Sequence, residues 1–549
     1  MDSPPAVGDE PGSDDVDPAA GVEPPAPDVG FAAETAQPQF SRGQLQRFAV
    51  RGAYWTFLHT LISLPIAFAV NIVLARTLGA VDYGRLAYLT SIMAIVGSII
   101  SMGVGTGAVQ YGAKAHATGR GQEVKDLLST SQAIRMLTAA PVMTLVVVSI
   151  AEVGPVLLLV AVLFGVFLPS VLGNATYCFA IENKTAEGAK HAMIVNLLTQ
   201  GAVLVAIFTA QTADAVWGAR LVMGGIGAAL AMFWVAPAYR RAVLRPRLRR
   251  LPKGFWRFTL PAGAAAAVGA MVMSRVEVIV LTWMSAMEAA GIFALAFGLA
   301  VHLFSPAQSL VGPLIPAVSG LHEVDRPAVA RALTRTLRAS STALALIVAG
   351  LVPFFAFLTP VLYGEEFREA SEVLLALGIA GALVVIVGPL KAFIMARLHG
   401  VRLLVFNVVA LAVNITLMLI LVPHLGVWGA VIGNAGAALT QIVLVLGGEA
   451  RMLRLTFGQA LAGIAPYLLG ALVSVTVWFA VSALEWNPVP SAITAVGTGL
   501  VLLVVALRLL RVGLTSADTE VIVTALPKPV RGVGRFMLNL CAGARMTEL

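Results

Sequence analysis

Apolar runs of roughly 20 residues, the length an α-helix needs to cross about 30 Å of hydrocarbon, recur from about residue 53 to residue 511. Nothing else in the sequence narrows the fold so far. Residues of hydrophobic type make up 58% of the 549, and charged residues only 12%. Water is therefore not the main solvent of this chain, and the class it points to is an all-α, polytopic membrane protein. Fourteen spans are expected, starting near Ala53, Leu86, Ile134, Pro155, Ala189, Ala215, Phe258, Ala289, Ala339, Ala370, Leu403, Gly426, Gln459 and Val489.

Cations divide unevenly between the connections. Those after even-numbered spans carry Lys114, Arg120 and Lys125, then Lys184 and Lys190, then Arg326, Arg331 and Arg335, then Arg402, then Arg451 and Arg454. The odd-numbered connections are short and offer mainly Glu152, Asp214, Glu288, His424 and Glu485, with Arg76, Arg85 and Arg368 as exceptions. The positive-inside rule then places both termini in the cytoplasm, and the expected location is a bacterial inner membrane. No cleavable signal peptide is visible, because some forty polar residues precede the first apolar run.

Those first residues hold nine of the 29 acidic residues and no Lys or Arg, interleaved with eight prolines from Pro4 to Pro38. Such a segment buries too little apolar surface to fold, so 1–41 reads as a disordered cytoplasmic tail, a candidate recruiter of cytoplasmic enzymes. Asp15-Val-Asp17 within it imitates a sugar-nucleotide signature but reads as solvated charge. The richest basic stretch, Arg240, Arg241, Arg245, Arg247, Arg249, Arg250, Lys253 and Arg257, contains no acid and lies between the sixth and seventh spans. Topology explains it, and anionic lipid headgroups suit it. Nucleic acid does not, since no recognition module surrounds it. Cys178 and Cys541 have neither disulfide-framework nor ligand spacing. No metal or cofactor site is expected.

Two pairs of segments recur at a nearly constant offset. Asn71 to Asp82, followed by Gly84, matches Glu277 to Glu288, followed by Gly291; Val216-Trp-Gly-Ala219 and Gly224 to Leu230 match Val427-Trp-Gly-Ala430 and Gly433 to Leu439. The pattern indicates two six-helix repeats in the same topology, related by an axis along the membrane normal, with substrate bound between them. The expected units are the tail 1–41, an N-terminal lobe 42–239, a basic linker 240–257, a C-terminal lobe 258–450, an extra helix pair 451–511 and a cytoplasmic tail 512–549.

Over residues 50 to 450 these segments resemble the polysaccharide-flippase branch of the multidrug/oligosaccharidyl-lipid/polysaccharide exporter superfamily. Leu74-Ala-Arg-Thr-Leu-Gly-Ala-Val-Asp-Tyr-Gly84 is similar to the family's first outer turn, and Ala290 to Ala294 through Pro313-Leu-Ile-Pro316 to its eighth helix. Pro360 to Phe367, and Asn414 through Pro423-His-Leu-Gly426 to Ala430, resemble later landmarks. The resemblance implies a MATE-like fold and alternating-access transfer of a lipid-linked oligosaccharide, usually on a polyprenyl diphosphate, to the outer leaflet. A sugar diphosphate in hydrocarbon leaves its polar groups unsatisfied, so the protein must supply a hydrated, cationic cavity.

Ionisable residues within spans are the candidates for that cavity, being costly in lipid. They are Arg275, Glu277, Arg220, Arg76, Lys391 and Arg397. Arg275 suits the anionic diphosphate or a sugar acid, with Glu277 and its repeat equivalent Asn71 flanking the cavity; an interhelical ion pair or snorkelling suits Arg275 equally. Lys391 and Arg397 suit either the inner interface or substrate entry. His302 is a candidate proton relay or a packing histidine. Asn196, Asn407, Asn414, Gln200 and Gln308 suit either interhelical hydrogen bonds or a wet cavity. Pro65, Pro141, Pro169, Pro306, Pro313, Pro353 and Pro389 are expected to kink their helices.

Three functions fit such a chain: a flippase, a cation-coupled drug or small-solute antiporter, and an integral-membrane glycosyltransferase or polymerase. The enzyme fits worst, because no large outer loop, paired membrane-edge acids, His-Glu metal cluster or phosphate-binding Gly-rich loop is present.

Overall fold

Backbone polar groups in hydrocarbon find partners only within their own segment if that segment is helical, and helices are what the apolar runs form. The computed structural model describes residues 42–271, 276–308, 326–396, 400–453, 456–525 and 531–542. Among these the chain is helical apart from turns and one isolated bridge, Leu514 to Ala542. In order the helices are α1 (Arg42–Ile100), α2 (Val104–Ala117), α3 (Gly121–Ile150), α4 (Pro155–Ile181), α5 (Thr185–Thr209), α6 (Ala213–Ala231) and α7 (Pro237–Leu244). Then come α8 (Phe255–Ala270), α9 (Val276–Met284), α10 (Met287–Gln308), α11 (Arg331–Tyr363), α12 (Ala370–Ala396), α13 (Gly400–Leu425) and α14 (Val427–Met452). Last are α15 (Phe457–Ser482), α16 (Pro488–Leu509), α17 (Ser516–Ala525) and α18 (Arg531–Leu540).

Eleven of these helices are long and apolar enough to cross a bilayer among the described residues. The first counts twice, because α1 reverses at Gly79, where φ is +70° and ψ 178°. Asn71 donates to the Tyr83 hydroxyl at 3.0 Å, whereas twelve residues of unbroken helix would hold them about 18 Å apart. Only glycine takes that backbone conformation cheaply. A single residue thus makes the first hairpin turn, and the second span starts at Ala80, not at Leu86 as read from hydropathy. With α6 and the α8–α9 pair, fourteen spans result.

Three of the prolines sit just after a wide π turn. Arg135–Ala139 precedes Pro141, Ala161–Phe167 precedes Pro169, and Ile347–Leu351 precedes Pro353. Each proline lacks an N–H and crowds the carbonyl four residues earlier, and the wider turn absorbs both defects. At the second break, Arg135 donates to Pro169 O at 2.9 Å and to Asn174 Oδ1 at 3.1 Å, so a cation inside α3 closes the bend in α4. Pro65 and Pro389 lie within helices that run on, and Pro313 is outside the described residues.

One large cluster of buried side chains runs through both repeats, with three smaller clusters beside it. In its C-terminal half α12 is the most enclosed helix, with Val373, Leu374, Ile386, Val387 and Leu390 wholly buried. Val205 and Phe208 of α5 and Ile493 and Val501 of α16 are exposed, as side chains facing lipid tails are. The extra pair α15–α16 covers α11, where Gly470 meets Ala345 and Gly499 meets the Ala349 carbonyl. Residues 512–549, expected as a tail, instead include α17 and α18. Asp518 lies 3.7 and 3.6 Å from Arg335 and Arg338 of α11, and Cys541 is buried beside Leu514. Both helices are too short to give an apolar run, so hydropathy missed them.

Candidate functional site

The two repeats meet through their own equivalents. Gly84, in the second arm of α1, and Gly291, in α10, were matched by sequence and lie directly against each other. A methyl group on Gly84 would fall 2.0 Å from Met287 O, and one on Gly291 would fall 1.9 Å from Ala80 O. Residues near a twofold axis meet their own counterparts, so this contact marks the axis between the lobes. It lies at the end of the bundle opposite the basic linker, here the distal end.

Further contacts close that end. The Trp283 indole donates to the Tyr88 hydroxyl at 3.0 Å. Glu366, in the turn between α11 and α12, accepts from Ala80 N at 3.2 Å with its Oε2. The carboxylate of one lobe thereby caps the helix that restarts after Gly79 in the other, where the unsatisfied N–H groups attract negative charge. Glu366→Ala is expected to remove about 0.5–2 kcal/mol from the closed distal end. Maleimide labelling of a cysteine at Ser91, applied from the distal side, should rise accordingly.

Beneath this closure is a cavity of about 490 Å³ lined by α1, α6, α9 and α10. Asn71, Tyr83, Thr90 and Ser91 supply polar groups on one wall, and Phe293, Phe297 and His302 line the α10 side. Arg220 enters from α6. No described residue hydrogen-bonds or ion-pairs with its guanidinium, and no Asp or Glu is among the described lining residues. Phe293 and Phe297 stack with centroids 6.1 Å apart. The His302 Nδ1 donates to Gly298 O at 2.7 Å.

Of the residues expected from sequence, the cavity gathers Asn71, Arg220 and His302. Glu277 is not with them. It is wholly buried in the C-terminal lobe, where its Oε1 accepts from Asn414 Nδ2 at 2.9 Å and Asn434 Nδ2 at 2.7 Å. The helix carrying it turns Val278 to the cavity and Glu277 to α13 and α14, an orientation that repeat equivalence with Asn71 does not encode. Glu277 Oε2 and Asn414 Oδ1 both lack a donor among the described residues. Glu277→Ala is expected to cost about 1–3 kcal/mol by orphaning two buried amides. Glu277→Gln, which brings a donor, should melt close to the parent in a thermal unfolding assay.

Arg76 is exposed and outside the cavity lining, and Lys391 also lies outside it, toward the far end of α12. Arg275 and Arg397 are outside the described residues. Gln441 donates to Asn407 at 2.8 Å, an interhelical bond between α14 and α13. Sequence reasoning missed Tyr83, Thr90, Ser91, Phe293 and Phe297 as cavity residues. Hydroxyls and rings are common in spans, and only their common face distinguishes these.

Two six-helix lobes about a shared axis, an appended pair and a polar cavity at the interface define a multi-pass membrane transporter with a MATE-like fold. Residues 49–322 match the family described as polysaccharide biosynthesis protein. A lipid II flippase, MurJ, in an inward closed conformation is 12% identical with a TM-score of 0.60, covering 83% of this chain and 99% of that one. A MATE structure in a bent conformation is 16% identical with a TM-score of 0.50, over 77% of this chain and 100% of that one. An inward-facing multidrug-resistance MATE transporter is also 16% identical, at 0.50, over 74% and 99%. No curated protein sequence matches significantly. The chain belongs to the multidrug/oligosaccharidyl-lipid/polysaccharide exporter superfamily, in its flippase branch.

Proposed function

We propose that this protein flips a polyprenyl-diphosphate-linked oligosaccharide, or a related glycolipid, from the cytoplasmic to the outer leaflet by alternating access of its two lobes, with the linker end in the cytoplasm. The observation that carries this reading is the interlobe cavity with Arg220 as an uncompensated cation. An anionic headgroup gains there a charge-assisted partner that the cavity does not otherwise provide. Hydroxyls and the Asn71 amide suit sugar hydroxyls, and the Phe297 face suits an apolar sugar face.

Contacts at Gly84, Gly291, Trp283 and Glu366 are those that outward opening would break. Direction follows from the cation bias of the connections. The test is inversion of a fluorescent polyprenyl-diphosphate glycan in proteoliposomes, expected with the parent protein and lost with Arg220→Ala.

A cation-coupled exporter of small solutes is the second reading, favoured by the Glu277–Asn414–Asn434 nest with its two donor-free acceptors. An Arg-bearing cavity without acids among its described lining residues is unsuited to cationic cargo. The nest therefore fits ion coupling of the same flippase.

A further inference from the structure

The basic linker is held, and not left as a loose tether. Arg247 N donates to Ser129 O at 3.2 Å, Thr130 Oγ1 donates to Arg247 O at 3.2 Å, and Arg249 N donates to Thr130 Oγ1 at 3.0 Å. These three bonds fasten an extended segment across α3, about two turns in from its N-terminus, in the N-terminal lobe. Arg245, Arg247, Arg249 and Arg250 all remain exposed, and none has an ion-pair partner among the described residues. Between them Leu248 is 66% exposed.

Topological bias accounts for cations at this end but not for a segment clamped flat on it, nor for an apolar side chain left bare between guanidinium groups. Water around a fixed Leu is costly unless an apolar phase receives it. A polyanionic protein or a free phosphate offers charge and no such phase. A bilayer surface with anionic headgroups offers both, phosphate for the arginines and acyl boundary for the leucine.

We propose that residues 245–250 form a clamped docking rail for anionic lipid headgroups, which anchors the N-terminal lobe to the leaflet at its linker end. The rail then gives the N-terminal lobe a fixed footing while the other lobe moves. The inference takes its leaflet assignment from the proposed function, but the contact itself needs no substrate. A protein that fails to flip a glycan would still show it.

The test places a nitroxide on Leu248→Cys, in a background lacking the two native cysteines, in full-length protein reconstituted into vesicles. One set is phosphatidylcholine alone, the other equal parts phosphatidylcholine and phosphatidylglycerol. The expected result is a label open to an aqueous relaxation agent in the first set and shielded by lipid in the second. Adding free phosphate to the neutral vesicles should not shield it. Replacing the four arginines with Gln should abolish the difference, since each charge removed weakens headgroup retention by roughly fivefold. Thr130→Val should blunt it while the arginines remain. Equal water access in both vesicle types, or shielding that survives the four Gln substitutions, would overturn the proposal.

Discussion

Arg220→Ala is expected to lower glycolipid inversion at least about thirtyfold, the equivalent of roughly 2 kcal/mol for removing one partner of a desolvated charge contact. The arginine faces a cavity and holds no described ion pair, so its loss orphans no protein partner. Expression and thermal stability should therefore stay near those of the parent. Arg220→Lys keeps the charge but gives up the planar fork that matches two phosphate oxygens, and should retain part of the activity. Arg76→Ala is the natural control, being exposed and outside the cavity lining. It should change stability and transport within about 0.5 kcal/mol. Equal losses in Arg76 and Arg220 variants would mean that bulk charge, and not the cavity, is being measured.

The second large effect is expected from the glycine pair. Gly291→Leu drives a side chain into Ala80 O, which is backbone and cannot rotate away. Overpacking of about 1–3 kcal/mol against the closed distal end shifts the open-to-closed ratio roughly 5- to 160-fold. A cysteine at Ser91 should then react faster from the distal side, and inversion should fall because return to the distally closed state is disfavoured. Gly298→Ala is the matching control. Gly298 also lines the cavity, yet nothing lies within 4 Å of where its Cβ would be.

Much of the fold was legible because the bilayer imposes one demand on every span. Run length gave the helices, and the repeat paired Gly84 with Gly291 as equivalents, which the structure brings into contact. What hydropathy could not give is anything that depends on facing. Glu277 and Asn71 hold equivalent places in the two repeats, but Asn434 stands in α14 where the first repeat has Gly225. With that second amide the C-terminal lobe can satisfy a carboxylate internally, and Glu277 turns inward to it. Arg220 was legible as an ionisable residue in an apolar run. Its cavity neighbours were not, because Tyr83, Thr90 and Phe297 are ordinary span residues until the helices carrying them are brought together. Arg135 escaped notice for the opposite reason. It sits at a span edge, where cations are common, yet it closes the bend at Pro169.

The most direct measurement is the sidedness of lipid-linked glycan in inner-membrane vesicles with and without this protein, read by a membrane-impermeant lectin or hydrolase. Depletion is predicted to leave the glycan on the cytoplasmic face, with restoration by the parent chain and not by Arg220→Ala. Unchanged sidedness on depletion, with altered efflux of small cations instead, would contradict the flippase reading.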